Sequence, residues 1–282
     1  MTATQTRSGA REATTLPSTR TTIAAFWRMD FIEEISYPLS FALTLLRTAV
    51  PIVMFFFIGR VVGRQASVGG DYLTFTTIGL AITALMTGGM SALGGGLSRA
   101  FQRGNLETLL VEPVPWTFLP IAMNLWKTFL AVVNFTVLIL LGAVLGANFI
   151  PSATPQLLII AFLGLTSAMA IGVLSAAVLM LTLKSQPVLV VYTLVASIIG
   201  GSVFPVTVLP GWLQSLSYLI PHTYAINGAR TVFTEDPGAF TISFTEAVLA
   251  LGGFTIVVLP LGIWLFRRSL EFARRMGLLS GY

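Results

Sequence analysis

Arg99, Arg103, Glu107 and Glu112 fall within Ser98–Pro115 (SRAFQRGNLETLLVEPVP), the longest interruption between apolar segments of this 282-residue chain that mixes basic with acidic residues. A charge in mid-bilayer costs about 2.5–3.5 kcal/mol even on the mildest scale, so this stretch belongs at a membrane face. Leu106, Leu109, Leu110 and Val111 give it an apolar face at helical spacing. The two properties together describe a short amphipathic helix that lies on the membrane or docks a partner there. Its chemistry is recognition: leucines to fill a cleft, charges to set the register.

Residues for covalent chemistry are sparse. His222 is the only histidine and there is no cysteine, so a His- or thiolate-based metal site has little to build on. Beside Pro221, His222 reads as a hydrogen-bonded loop residue. A nucleotide-binding P-loop needs Gly-Lys-Ser/Thr; the two lysines follow Trp126 and Leu183 and cannot complete one. Gly88, Gly89, Gly94, Gly95 and Gly96 end an apolar run instead of opening a helix, so they read as close packing or a flexible exit. Ser167, Ser175 and Ser197 have no base placed to activate them. Glu246 is the one acidic candidate for a proton relay, and a lone carboxylate near an interface reads as solvated.

The elements that must position these residues are membrane helices. Hydrophobic residues make up 55% of the chain and charged residues 10%, against about 25% charged in soluble domains. An ordinary soluble enzyme is excluded. Spans of about 20 apolar residues are expected at 39–62, 72–97, 128–147, 156–183, 187–206 and 244–266. Residues 1–22 read as a flexible cytoplasmic tail without the apolar core of a signal peptide, and 276–282 as a C-terminal tail. Ile23–Tyr37 reads as an interfacial helix broken by Pro38. Arg47, the one charge of the first span, either snorkels to the headgroups or faces an internal polar cavity. Gly142 and Gly146 form a GxxxG pair that could dimerise helices or be incidental. Leu209–Phe233 is broken by Pro210, Gly211 and Pro221 and carries His222, Asn227 and Arg230, which fits two short helices dipping into the outer leaflet. The expected fold is thus an all-α integral membrane protein of six transmembrane helices, with an N-terminal interfacial helix, a cytoplasmic amphipathic helix and an outer-leaflet re-entrant helical hairpin.

Twelve of the 16 basic residues fall on one side of this topology, including both termini, Arg99, Arg103, Lys127 and Lys184; Arg60, Arg64 and Arg230 fall on the other. The positive-inside rule then puts both termini and Ser98–Pro115 in the cytoplasm of a multi-pass protein of the cell (cytoplasmic) membrane.

This arrangement resembles the permease subunit of type-2 ABC exporters (the ABC-2 transporter family), over roughly Ile23–Arg275. Phe101–Pro115 (FQRGNLETLLVEPVP) is similar to the family's run of a basic residue and Gly, an acidic residue, leucines and a proline. Phe204–Arg230 (FPVTVLPGWLQSLSYLIPHTYAINGAR) is similar to its Pro, Leu-Pro-x-Trp-Leu, Pro-x-x-Tyr and late Arg. The resemblance implies an ABC-2 type transmembrane domain over 23–275 without an ATP site of its own. Two permease subunits, as homo- or heterodimer, would enclose a path; two separate P-loop ATPase subunits below would bind ATP and Mg. Ser98–Pro115 becomes the coupling helix, with Arg99, Arg103, Leu106, Glu107, Leu109, Leu110 and Glu112 as its contacts. The re-entrant segment becomes an outer gate, with Pro210, Trp212, Leu213, Pro221, Tyr224 and Arg230.

A path lined by Thr74, Thr76, Thr77, Thr83, Thr87, Phe55, Phe56 and Met86, with Arg47, suits a lipophilic or amphipathic cargo such as a drug, antibiotic or lipid. The alternatives are a lipid-linked polysaccharide exporter, or a secondary transporter driven by an ion gradient, which calls for midplane charges and inverted repeats. No nucleic-acid partner is implied, since flanking basic residues set orientation.

Overall fold

A computed structural model describes residues 27–62 (33 and 35 excepted), 71–102, 125–182, 186–235 and 241–275. Among the described residues every regular element is helical: α1 (Pro38–Val62), α2 (Tyr72–Gln102), α3 (Leu125–Leu145), α4 (Thr154–Thr182), α5 (Gln186–Ile199), α6 (Gly211–Ser217), α7 (Pro221–Phe233) and α8 (Phe244–Arg275). Five of these, α1 to α4 and α8, are long and apolar enough to cross a bilayer. The chain is an integral membrane protein of the all-α class.

The fifth expected span is shorter than its apolar run. Helix α5 has 14 residues and ends at Ile199, not near 206, a length of about 21 Å against a hydrocarbon core of about 30 Å. Gly200 and Gly201 end it. Gly201 adopts φ +76°, a left-handed conformation that L side chains avoid, and Pro205 with a 3-10 turn at Val206–Val208 follows. Conversely, α2 continues past its expected end at 97 to Gln102, so the first residues of Ser98–Pro115 prolong a span helix. Helix α8 likewise runs through Arg267 and Arg268 to Arg275.

Local chemistry fixes the helix starts. Asp71 accepts from the Leu73 N–H (3.3 Å) and the Thr74 hydroxyl (3.0 Å), capping α2. Ser243 and Glu246 form a reciprocal capping box at α8: the Ser243 N–H and hydroxyl donate to the Glu246 carboxylate at 2.8 and 2.9 Å, and the Glu246 N–H donates back to Ser243 Oγ at 3.3 Å. Glu246 is therefore a helix cap and not merely a solvated carboxylate.

Lipid gives no hydrophobic drive between helices, so close packing must hold the bundle, and small residues permit it. Helix α2 is the most buried span and packs on α1, α3, α4 and α7; α4 packs on α8. A Cβ on Gly88 would stand 2.5 Å from the Ala131 Cβ, and one on Gly142 would stand 2.5 Å from Thr77 Cγ2. The two contacts lie eleven residues apart on both helices, so antiparallel α2 and α3 touch closely at two points about 16 Å apart. Gly142 is thus used inside the chain. Gly146, with φ +100°, is the left-handed cap of α3: its N–H reaches the Ala143 carbonyl (3.1 Å) and the Ala147 N–H reaches the Gly142 carbonyl (2.9 Å). The GxxxG pair is one buried contact and one cap, not a dimer face. Gly142→Val should destabilise the bundle by about 1–3 kcal/mol, while Gly253→Ala, with open space around its Cβ position, should be neutral or slightly stabilising. Thermal unfolding in detergent, followed by size exclusion, checks both.

At one end of the bundle, Lys127 of α3 pairs with Glu34 at 3.0 Å. Trp27 and Phe31 meet Trp126 edge-on, with ring centroids 5.2 and 5.3 Å apart. Residues 27–32 are helical and Tyr37 interrupts the helix before Pro38. At the other end, the Ile150 N–H donates to the Phe233 carbonyl (3.0 Å) and the Asn148 N–H to Thr74 Oγ1 (2.8 Å). This second end carries the candidate gate.

Candidate functional site

The segment expected as a hairpin holds two short helices, α6 and α7, with Pro210 just before the first and Pro221 at the start of the second. Pro221 occupies the first turn of α7, where its missing N–H is not needed. Helix α6 is peripheral: Pro210 and Trp212 are exposed, Leu213 is half-buried, and Ser217 ties the helix to the end of α5 through a hydroxyl donated to the Ile199 carbonyl at 2.9 Å. Helix α7 is buried on nearly every side; Pro221 lies inside and Tyr224 is half-buried against the core. Gly228 admits Ala247 of α8, and Ala225 meets Gly164 of α4.

Arg230 is the centre of this arrangement. It is 1% exposed, and its guanidinium is held by carbonyls instead of a carboxylate. Nη1 donates to the Gly201 carbonyl at 2.7 Å, Nη2 to the Ser202 carbonyl at 2.8 Å and the Phe75 carbonyl at 3.0 Å, and Nε to Phe75 again at 3.2 Å. Nη1 also reaches Asn227 Oδ1 at 3.3 Å. The guanidinium carbon lies 3.4 Å from the Phe75 ring centroid, a cation–π contact. One side chain of α7 thereby ties α2 to the turn after α5. Gly79 makes room: a Cβ there would clash with the Ser202 carbonyl and stand 2.5 Å from Nη2. Arg230 is the last residue of the Phe204–Arg230 stretch that carries the family resemblance. The sequence does not reveal the receiving carbonyls, which have no residue-type signature; Gly79 is the available signal.

His222 stands in the first turn of α7, not in a loop, and is 1% exposed. Its Nδ1 lies 3.2 Å from the Tyr192 hydroxyl of α5, the rings meet edge-on at 5.5 Å, and Nε2 has no partner among the described residues. The pair joins α5 to the hairpin beside the Arg230 cluster.

A separate cleft of about 320 Å³ opens among α1, α2 and α3. Thr44, Arg47 and Thr48 of α1 and Asn134 of α3 supply its polar wall. The other residues expected to line a path sit elsewhere. Phe55 is buried against Tyr72, with ring centroids 6.1 Å apart, and Phe56 carries Arg60 over its ring at 4.5 Å. Met86 is fully buried in the core beside Gly164, a position that excludes it from a cavity wall within this chain. Thr83 and Thr87 are half-buried, and Thr83 Oγ1 has no partner among the described residues. Thr76 and Thr77 donate to carbonyls of their own helix at 2.8 and 2.7 Å, and Thr74 serves the α2 cap and the Asn148 N–H. These buried threonines are packing residues.

Of the expected coupling residues, Arg99 lies on the last turn of α2. Arg103, Leu106, Glu107, Leu109, Leu110 and Glu112 lie outside the described residues.

Known proteins match this chain over much of its length. It is 24% identical over 270 residues to Nodulation protein J of Sinorhizobium fredii (strain NBRC 101917 / NGR234), covering 92% of this chain and 98% of the relative. It is 27% identical over 192 residues to "Putative transport permease ycf38" of Porphyra purpurea, covering 66% of this chain and 62% of the relative. The ABC-2 type transporter family matches residues 35–234, from the helical segment before α1 to the end of the hairpin that holds Arg230. That match takes in most of the chain, which therefore belongs to the ABC-2 type transporter family, as a membrane transport subunit of an ABC transporter.

Proposed function

We propose that the chain is the permease of an ATP-driven exporter in the cell (cytoplasmic) membrane, moving a lipophilic or amphipathic cargo with energy from separate P-loop ATPase subunits. The observation that carries this reading is the family match over residues 35–234, which spans α1 to α7. ATP and Mg would be bound by the partner, since neither lysine of this chain sits in a Gly-Lys-Ser/Thr pattern. Two copies of the permease, or one with a related chain, would enclose the path, with two ATPases below. Exposed apolar side chains on α1 and α5, such as Leu46, Val50, Val191 and Leu194, leave ample surface for lipid or a second subunit.

The end bearing Lys127, Arg267 and Arg268 would be cytoplasmic by the positive-inside rule. The hairpin of α6 and α7 would then be the outer gate, far from the coupling segment. A gradient-driven carrier would call for inverted repeats and midplane charges; the sequence shows no clear repeat between its two halves. Lipid-linked polysaccharide is the second cargo reading, favoured by the polar cleft around Arg47, which an uncharged drug has no use for.

Co-expression with a candidate P-loop ATPase subunit tests the assignment. The two should co-purify from detergent, and cargo efflux from proteoliposomes should stop when ATP is withdrawn. Transport at full rate by the purified chain alone would overturn it.

A further inference from the structure

We propose that the cleft among α1, α2 and α3 is a binding site for the phosphate of an amphiphile, with Arg47 and Asn134 as its donors. The proposal deepens the exporter reading and rests on it only for the question of whether the bound amphiphile is cargo.

Arg47 lies inside the apolar window of α1, Ala42–Val61, about 14 Å along the axis from Pro38. A cation at that depth is costly unless something solvates it. No hydrogen bond or ion pair joins its guanidinium to a described residue; Glu34 is engaged by Lys127, Glu246 by Ser243, and Asp71 by the start of α2. Asn134 faces the same cleft from α3, half-buried, and its carboxamide makes no hydrogen bond with any described residue. Among the described residues, two donors without acceptors thus share one pocket.

Their neighbours define the ligand further. Pro51, also on the wall, has no N–H to give the Arg47 carbonyl four residues earlier, so the helix ladder is interrupted at the cleft. Leu138 makes the opposite wall apolar. On the same helix, Leu43, Leu46, Val50 and Met54 form an exposed apolar stripe at helical spacing beside the cleft residues 44, 47, 48 and 51. The volume of about 320 Å³ equals roughly ten waters at ~30 Å³ each, room for a phosphate and its first carbons. A guanidinium suits phosphate because it donates two parallel hydrogen bonds, and the stripe suits acyl or prenyl chains. The phosphate could come from the cargo or from a bilayer lipid.

The test uses the full chain in neutral detergent, with short-chain phosphatidic acid, the matched diacylglycerol and inorganic phosphate as probes. Phosphatidic acid should raise the unfolding temperature of the wild-type chain, and the other two should not. R47Q should weaken the apparent affinity on the order of tenfold and N134L by less, with R47K between wild type and R47Q. Arg47 is exposed, so R47Q removes no internal contact; should it fail to fold, N134L and R47K still report. An equal response to diacylglycerol or inorganic phosphate, or an unchanged affinity in the variants, overturns the proposal. So does loss of a dimer in R47Q, which would assign the guanidinium to a second copy. In proteoliposomes with the ATPase, ATP-dependent movement of phosphatidic acid that R47Q abolishes supports the cargo source. Binding without movement supports the site with a resident lipid in it, and leaves the exporter reading to its own co-purification test.

Discussion

Arg230→Met should destabilise the chain by about 3–5 kcal/mol, because it strands buried acceptors that nothing else can reach. The guanidinium serves the Gly201, Ser202 and Phe75 carbonyls at 2.7–3.2 Å with the whole residue 1% exposed. The Phe75 carbonyl lies within α2 and keeps its helical bond, so it suffers little. The Gly201 and Ser202 carbonyls belong to an irregular turn, and each orphaned acceptor costs about 1–3 kcal/mol. The attraction of the cation to the Phe75 ring disappears as well. Arg230→Lys should recover only part of this, since an ammonium has the charge but not the planar fork that spans two chain segments. Gly79→Ala approaches the same junction from the other side. Its methyl would meet the Ser202 carbonyl and Nη2, and neither the backbone of the turn nor the fully engaged guanidinium can retreat. The two substitutions should therefore be less than additive, both undoing one junction. Thermal unfolding of the single and double variants measures this. Simple addition would mean that Gly79 and Arg230 act independently.

The junction also marks where sequence reasoning ends. Long spans are legible because a run of about 20 apolar residues has few other uses, and α1, α2, α3, α4 and α8 all answer to such runs. The fifth run misleads in length because hydropathy does not register a left-handed residue: Gly201 turns the chain while its neighbours remain apolar. At Gly94–Gly96, where glycine suggests either close packing or a flexible exit, α2 continues to Gln102, which sets the exit aside. In the site, the division into two short helices is legible from Pro210 and Pro221, which stand at the starts of α6 and α7. The partners of Arg230 are not, since they are main-chain carbonyls. The cap formed by Ser243 and Glu246 is legible too, although the lone carboxylate reads first as solvated: Ser-x-x-Glu before an apolar run is a capping signal.

Replacing Leu106, Leu109 and Leu110 together with Asp should abolish both co-purification of the ATPase and ATP-dependent transport, while the permease remains folded. By spacing the three leucines would share one helical face of a stretch whose charges keep it out of the bilayer core, so no span is broken by the change. A docking helix gains most of its affinity from a few apolar side chains at the centre of the contact. Three carboxylates there would each have to be desolvated against the partner's cleft, at a cost far above the energy of a typical helix-in-groove contact. Charge reversal at Arg99, Arg103, Glu107 or Glu112 should act differently, slowing association and steepening or flattening its salt dependence, as rim charges do. The Arg230 junction supplies the internal control: thermal stability, which depends on that junction at the opposite end of α2 from Arg99, should be unchanged in the triple variant. An ATPase that still co-purifies with the triple-Asp chain would show that the force enters the membrane subunit elsewhere.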